Sequence, residues 1–232
     1  MSTTFHMDAI RRAYRDDTFF WSLLRARTCG VLDAAVDHEW FAGSTEPAAL
    51  VFLGTLVRLV QPTKMLQLGT HIGFSAVYLA DTLAQNAAPG HFWAIEPDEV
   101  ALPVARLLVA DAGLDDVVTF IQGFSTDSPT AQTIAAAGPF ELIYVDSSHA
   151  YAATLAELDL MFERDWVAEG GMVVFHDAAL EAAAFDPTGA GGVRRALDEW
   201  SDRHHPDFRL QILEPPFWPS GCGLGLLSRR PV

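Results

Sequence analysis

The chain has 232 residues, half of them apolar, with 30 Asp and Glu against 15 Lys and Arg, a formal charge of −15. That length suits one α/β domain with a core of its own, and so acidic a chain has little with which to build the basic groove that a phosphate backbone needs. No apolar run approaches the length that spans a bilayer, and residues 1–8 show no secretion signal, so the expectation is a cytoplasmic protein with neither nucleic-acid nor membrane partners.

Residues 1–62 read as a helical segment, and residues 63–232 as the main domain. Residues 8–33 carry a helical apolar set (Ile10, Tyr14, Trp21, Leu24), and 46–60 repeats the period with Leu50, Leu53, Leu56, Val57 and Val60. Gly43-Ser44-Thr45 before Glu46-Pro47 is a helix start with proline in the first turn, and Gln61-Pro62 ends that helix. Such a segment serves as a lid, a dimer contact or plain packing; a homodimer or higher homo-oligomer is the expectation. From Lys64 onward strands and helices alternate with short connections, which predicts a parallel sheet. The predicted strands are 64–68, 91–95, 117–121, 140–145, 171–175, 208–213 and 222–227, and the predicted helices 73–86, 98–112, 126–137, 150–168 and 191–204. Only the proline-rich stretch 214–221 separates the last two strands, so they pair antiparallel. The expected fold class is α/β: a Rossmann-like, mostly parallel seven-stranded sheet with helices on both faces and a C-terminal antiparallel hairpin. Cys29 and Cys222 form no metal or redox motif and read as small core residues.

The first predicted strand stops at Gly69, a second glycine follows at Gly73, and an amphipathic stretch begins at once. A strand, a tight turn and a helix N-terminus let backbone N–H groups face a ligand. The next strand delivers Glu96 at its tip, where an acid can accept both hydroxyls of a ribose. Together they point to a nucleoside cofactor. Thr70, His71 and Ile72 are bulkier than a pyrophosphate cradle accepts, which disfavours a dinucleotide. So does the lack of a Tyr-x-x-x-Lys pair, Lys64 being the chain's only lysine.

The fourth strand ends at Asp146, with His149 three residues on, and the fifth ends at His176-Asp177. Neighbouring strands lie about 4.8 Å apart, so groups at adjacent tips can address one ion or one substrate group. His149 titrates near neutrality, as a general base should; alternatively it caps the helix at 150 or bonds a backbone carbonyl. Without a metal, His149 and Asp146 are the natural base and orienting acid. His71 and Asp159 are further candidates, the first lining the glycine loop and the second reading as a solvated helix residue.

Gly69-x-x-x-Gly73 with Ser75 after it resembles motif I of the class I S-adenosylmethionine (SAM) methyltransferases. The string from Val145 through Asp146, His149 and Tyr151, then a helix, then Gly170-Gly171 through His176-Asp177 resembles the small O-methyltransferases of the "methyltransferase 24" type, to which catechol and antibiotic-sugar O-methyltransferases are related. The resemblance runs from roughly residue 50 to 180. It implies SAM as cofactor, held by Gly69, Thr70, Gly73, Ser75, Glu96 and Asp146. It implies methyl transfer to a hydroxyl of a small metabolite, a natural-product sugar or phenol. It further implies divalent-metal assistance by Mg²⁺ or Mn²⁺, with Asp146 and Asp177 as ligands. A hard cation fixes the acceptor oxygen and lowers its pKa.

Beside them, His176 would suit Mn²⁺, Fe²⁺ or Zn²⁺ better than Mg²⁺, and Ala178 stands where catechol-type relatives carry another polar ligand. Gln67 stands where most relatives have an acid, and its amide can still bond the amino-acid end of SAM. After the third strand come Gly123, Phe124 and Ser125 in place of an acid beside the adenine; Phe124 could cover the ring and Ser125 meet its amino group. Phe185, Phe217 and Trp218, with Trp21 and Trp40, are candidate acceptor walls, and the glycine-rich stretch 185–192 reads as a mobile lid. Two rival readings are an NAD(P)-dependent Rossmann oxidoreductase and a non-catalytic SAM-binding protein.

Overall fold

The computed structural model describes residues 44–88 and 90–229. The helix expected over 8–33, with Trp21, Cys29 and Trp40, lies outside the described residues. Helices α1 (Pro47–Val60), α2 (Phe74–Ala84), α3 (Ala101–Asp111), α4 (Ser128–Ala137), α5 (Tyr151–Glu163) and α6 (Gly192–His204) alternate with strands β1 (Lys64–Leu68), β2 (His91–Glu96), β3 (Val118–Gln122), β4 (Phe140–Val145), β5 (Val167–His176), β6 (Phe208–Leu213) and β7 (Leu224–Arg229). A 3₁₀ helix spans Leu180–Phe185. The strands form one seven-stranded sheet in the order β3-β2-β1-β4-β5-β7-β6, parallel except that β7 runs antiparallel to both β5 and β6. This is the mostly parallel sheet with a closing antiparallel pair that the sequence predicts. No helix among the described residues is long and apolar enough to cross a membrane.

The described chain falls into two compact units, one of residues 44–61 and 70–122 and the other of 62–69 and 123–229. In the first, α1 packs on α2 and buries Leu50, Leu53 and Val57 at helical spacing, while Val60 ends up exposed. Asn86, just past α2, donates to the Val57 carbonyl and satisfies part of α1's last turn.

In the second unit β1, β4 and β5 run parallel and read apolar because they are buried along most of their length. α5 packs on α6, where the Trp200 ring stacks on Phe162 (4.7 Å between centroids) and meets Phe208 edge-on (5.0 Å). The indole Nε1 of Trp200 donates to Asp159 Oδ1 at 3.0 Å. Asp159, expected as a solvated helix residue, is partly exposed and also anchors a buried tryptophan. Cys222 is buried, as expected.

The largest boundary difference lies after α5. The helix expected to reach residue 168 ends at Glu163, and β5 starts at Val167 instead of 171. Trp166 and Val167 are buried and prolong the apolar stripe of Leu158 and Met161, so periodicity alone runs the helix on. Asp165 breaks it by turning left-handed (φ 52°), and an irregular register between Phe140 and Leu142 accommodates the added strand residues. The last strand begins at Leu224, two residues later than predicted.

In the stretch expected to be a mobile lid, one side chain gathers four hydrogen bonds. Asp186 Oδ1 accepts from the Thr188 amide (2.8 Å) and hydroxyl (2.7 Å), and Oδ2 accepts from the amides of Gly192 (2.9 Å) and Tyr151 (3.4 Å). It thus ties the turn to the starts of both α5 and α6. The Thr188 hydroxyl bond above all, with the backbone bonds, holds this carboxyl well below the usual carboxylate range. A depressed folded-state pKa stabilises the fold fully above the unfolded value of about 3.9 and progressively less as pH falls below it. Asp186→Asn is therefore expected to lower Tm at pH 7, and the gap to the wild type should narrow below about pH 4. Thermal melts across pH check this; a gap that is constant with pH would rule it out.

Candidate active site

The strand order reverses between β1 and β4, and in open α/β sheets ligands bind outside the carboxyl ends at such a switch point. Leu68 and Val145 pair in register, so Gly69 and Asp146 leave the sheet side by side, and the Asp146 amide donates to the Leu68 carbonyl at 2.8 Å. Gly69 has φ +79°, and a Cβ there would lie 2.6 Å from the Ser147 Cα and closer still to the Asp146 carbonyl oxygen. Only glycine fits both the conformation and the space. Gln67, fully buried, donates its Nε2 to the Gly69 carbonyl at 2.7 Å. The amide that replaces the expected acid thus holds the glycine loop itself.

Within the other unit the same loop continues around Glu96. Its Oε2 accepts from the backbone amides of Thr70 (3.0 Å) and His71, and its Oε1 from the amide of Asp98 (2.9 Å). Thr70 Oγ1 adds a bond to the Ile95 carbonyl at 3.2 Å. A carboxylate offers about four acceptor sites, and three backbone amides engage Glu96 here. Gly73 (φ +91°) starts α2 with its missing Cβ against the Ala105 backbone, and Ser75 is buried in the first turn.

Back in the second unit, four titratable groups converge. His149 Nδ1 lies 2.9 Å from Asp177 Oδ2, and His176 Nδ1 lies 3.1 Å from the same oxygen and 3.3 Å from Asp146 Oδ1. The acid that orients His149 is thus Asp177, not Asp146 as expected. His149 neither caps the helix at 150 through its side chain nor bonds a backbone carbonyl. Asp177 reaches it because its own backbone turns left-handed (φ 57°) at the end of β5. The bond to Asp177 raises the His149 pKa above its ordinary value, with burial working against this and the charges of Asp177 and Asp146 adding to it. Burial alone would raise the Asp177 carboxyl; the neighbouring His176 charge and the bonds from both imidazoles outweigh it and hold it well below the usual range. His149 remains half exposed, with the Phe185 ring 5.8 Å away. Tyr144, two residues before Asp146 and fully buried, donates its hydroxyl to Asp146 Oδ2 at 3.1 Å.

The donor atoms of Asp146, His176 and Asp177 all lie within 4.8 Å of one another. Adjacent ligands on an octahedral ion at 2.0–2.1 Å stand about 3 Å apart, so the 3.1 and 3.3 Å separations at His176 suit a cation as well as a shared proton. Two carboxylates and one imidazole fit Mn²⁺, Fe²⁺ or Zn²⁺.

Phe124 is largely exposed, whereas Ser125 is buried and its hydroxyl donates to Glu157 Oε1. Ser147 donates to Glu157 Oε2 at 2.7 Å. Neither Glu157 nor Tyr144 stands out in a motif. The available signals were an acid inside the helical stripe of Thr154, Leu158 and Met161, and a tyrosine on the same strand face as Asp146. Of the aromatic candidates, Trp218 is buried and Phe217 exposed.

Residues 66–178 match the family model described as a methyltransferase domain. A catechol O-methyltransferase of Niastella koreensis is 31% identical over 134 residues, 58% of this chain and 55% of that protein. A rhamnosyl O-methyltransferase of Mycobacterium bovis is 24% identical over 191 residues, 74% of each chain. The chain spans little more than half the length of the first curated relatives it matches. Among solved structures, the O-methyltransferase from Bacillus cereus in complex with S-adenosylhomocysteine (SAH) superposes with a TM-score of 0.76 over 99% of this chain and 100% of that one, at 20% identity. That likeness shows the fold.

The close approach at Gly69 has a measurable consequence. Gly113 also has positive φ (+68°) but open space around it, so Gly113→Ala should cost only the left-handed conformation, about 1–2 kcal/mol. Gly69→Ala should cost clearly more in urea denaturation. Equal losses would disprove the contact.

Proposed function

We propose that this chain, whose residues 66–178 match a methyltransferase-domain model, transfers the methyl group of SAM to a hydroxyl of a small metabolite of the phenol or sugar class. The observation that carries this reading is His149 held by Asp177 at the carboxyl end of the sheet. When bound, SAM would supply a sulfonium methyl group to the acceptor oxygen, the O–CH₃ bond forming as the S–CH₃ bond breaks and neutral S-adenosylhomocysteine leaves. The chain must then orient that oxygen and take its proton. With Nδ1 committed to Asp177, His149 presents Nε2 from a half-exposed ring, the tautomer a general base needs. Phe185 beside that ring supplies an apolar wall for the body of an acceptor.

On the cofactor side the Glu96 carboxylate, fixed by three backbone amides, is the acceptor for a ribose hydroxyl, and Gly69 lets the loop lie against the Asp146–Ser147 backbone. Thr70, Gly73 and Ser75 continue that loop into α2. Catechol and rhamnosyl appear in the names of relatives, both hydroxyl-bearing acceptors. Asp146, His176 and Asp177 would hold a divalent cation, which would polarise the acceptor hydroxyl and make its proton easier to remove.

Calorimetric titration is expected to show binding of SAM and SAH and none of NAD; binding of NAD alone would overturn the proposal. In a methyl-transfer assay over a panel of phenols and sugars, His149→Ala should lower kcat by about 10²-fold or more. Asp177→Asn should fall with it, since the base loses its orienting acid. Turnover should drop in chelator and return with Mn²⁺; turnover that is indifferent to chelator removes the cation and leaves the three side chains as a hydrogen-bonded proton relay.

A further inference from the structure

We infer that Glu157 is a positioning residue for the cofactor side of this site, an inference that rests on the reading of the chain as a SAM-dependent transferase. Glu157 lies on the inner face of α5 among Thr154, Leu158 and Met161 and is 3% exposed. A carboxyl buried there costs free energy unless its oxygens are bonded. Burial pushes its pKa up, and the Ser125 and Ser147 hydroxyls pull it back.

Those two serines leave the sheet from different strands. Ser125 follows β3 and bonds Oε1; Ser147 follows β4 and bonds Oε2. Ser147 is also the residue whose Cα crowds the missing Cβ of Gly69. One carboxyl thus sets the spacing between the β3 and β4 loops and, through Ser147, backs the glycine loop. A serine hydroxyl has a single proton, and here it points to Glu157, so each serine turns only lone pairs toward a ligand. Held this way, Ser125 and Ser147 accept from N–H and O–H donors, and a nucleoside carries both, on an exocyclic amine and on ribose hydroxyls. Phe124 stands 62% exposed on the stretch that the Ser125 bond immobilises.

The test compares Glu157→Gln, Ser125→Ala, Ser147→Ala and the Glu157→Gln/Ser125→Ala double variant with the wild type. The probes are calorimetric SAH binding well below Tm, thermal melts, and KM for SAM against kcat. Gln keeps the shape of Glu but exchanges one acceptor for a donor, so Glu157→Gln should raise the SAH Kd and the SAM KM about tenfold, the scale of one hydrogen bond to a charged group. kcat at saturating SAM should stay near the wild-type value. Ser125→Ala should add little in the Glu157→Gln background, because both act through one bond. A lower Tm with unchanged SAH Kd, or fully additive losses, would assign Glu157 a packing role only and overturn the inference. If Glu157→Gln does not fold, an unchanged SAH Kd in Ser147→Ala and Ser125→Ala overturns it as well. A wild type that binds no SAH overturns the functional reading and this inference together, whereas wild-type binding with unaffected variants overturns the inference alone.

Discussion

The site depends on the parallel register of β1, β4 and β5. Leu68 stands opposite Val145, and Val145 opposite Phe175, so these three chains leave the sheet at nearly the same level, about 4.8 Å apart. Two consequences follow from that spacing alone. Gly69 and the Asp146–Ser147 backbone emerge in contact, which a side chain at 69 would prevent. β5 runs one residue further, to His176, and so brings its imidazole against Asp146 before Asp177 turns back toward His149. The register is secure because the strands are buried, and a slip of one residue would turn every buried side chain to the opposite face.

The charges at this edge are organised by mutual need. Burying an isolated carboxylate costs several kcal/mol, and Asp177 is 4% exposed. Two imidazoles from different segments meet that cost, and in doing so they acquire fixed orientations. Glu157 solves the same problem with neutral donors, two serine hydroxyls from separate loops. Glu96 solves it with backbone amides of the glycine loop and the turn after β2. In each case a buried acid is satisfied by groups that a ligand site needs held still, so the cost of burial becomes preorganisation.

Much of this was legible in the sequence. The apolar runs of β1, β2 and β4, the glycine turn, the acid at the tip of β2 and the polar groups at the tips of β4 and β5 sit where pattern reasoning puts them. The failures have local causes. Trp166 and Val167 extend the stripe of α5 although the chain has already turned at Asp165. The stretch 185–192 reads as a flexible lid from its glycines, but Asp186 anchors it through four hydrogen bonds. Asp159 reads as a solvated acid, yet its partner Trp200 lies on another helix.

By itself the sequence determined which residue types stand at the strand ends, because strand length and hydrophobic period act over a few neighbouring residues and need no knowledge of the rest of the chain. Only the tertiary structure decided who pairs with whom. Asp177, not Asp146, orients His149 because of a left-handed turn at one residue. Glu157 belongs to the site because the phase of α5 aims it at loops from two other strands. Side-chain partnership over such distances depends on turn angles and helix rotation set by packing, and these leave no periodic trace in the chain.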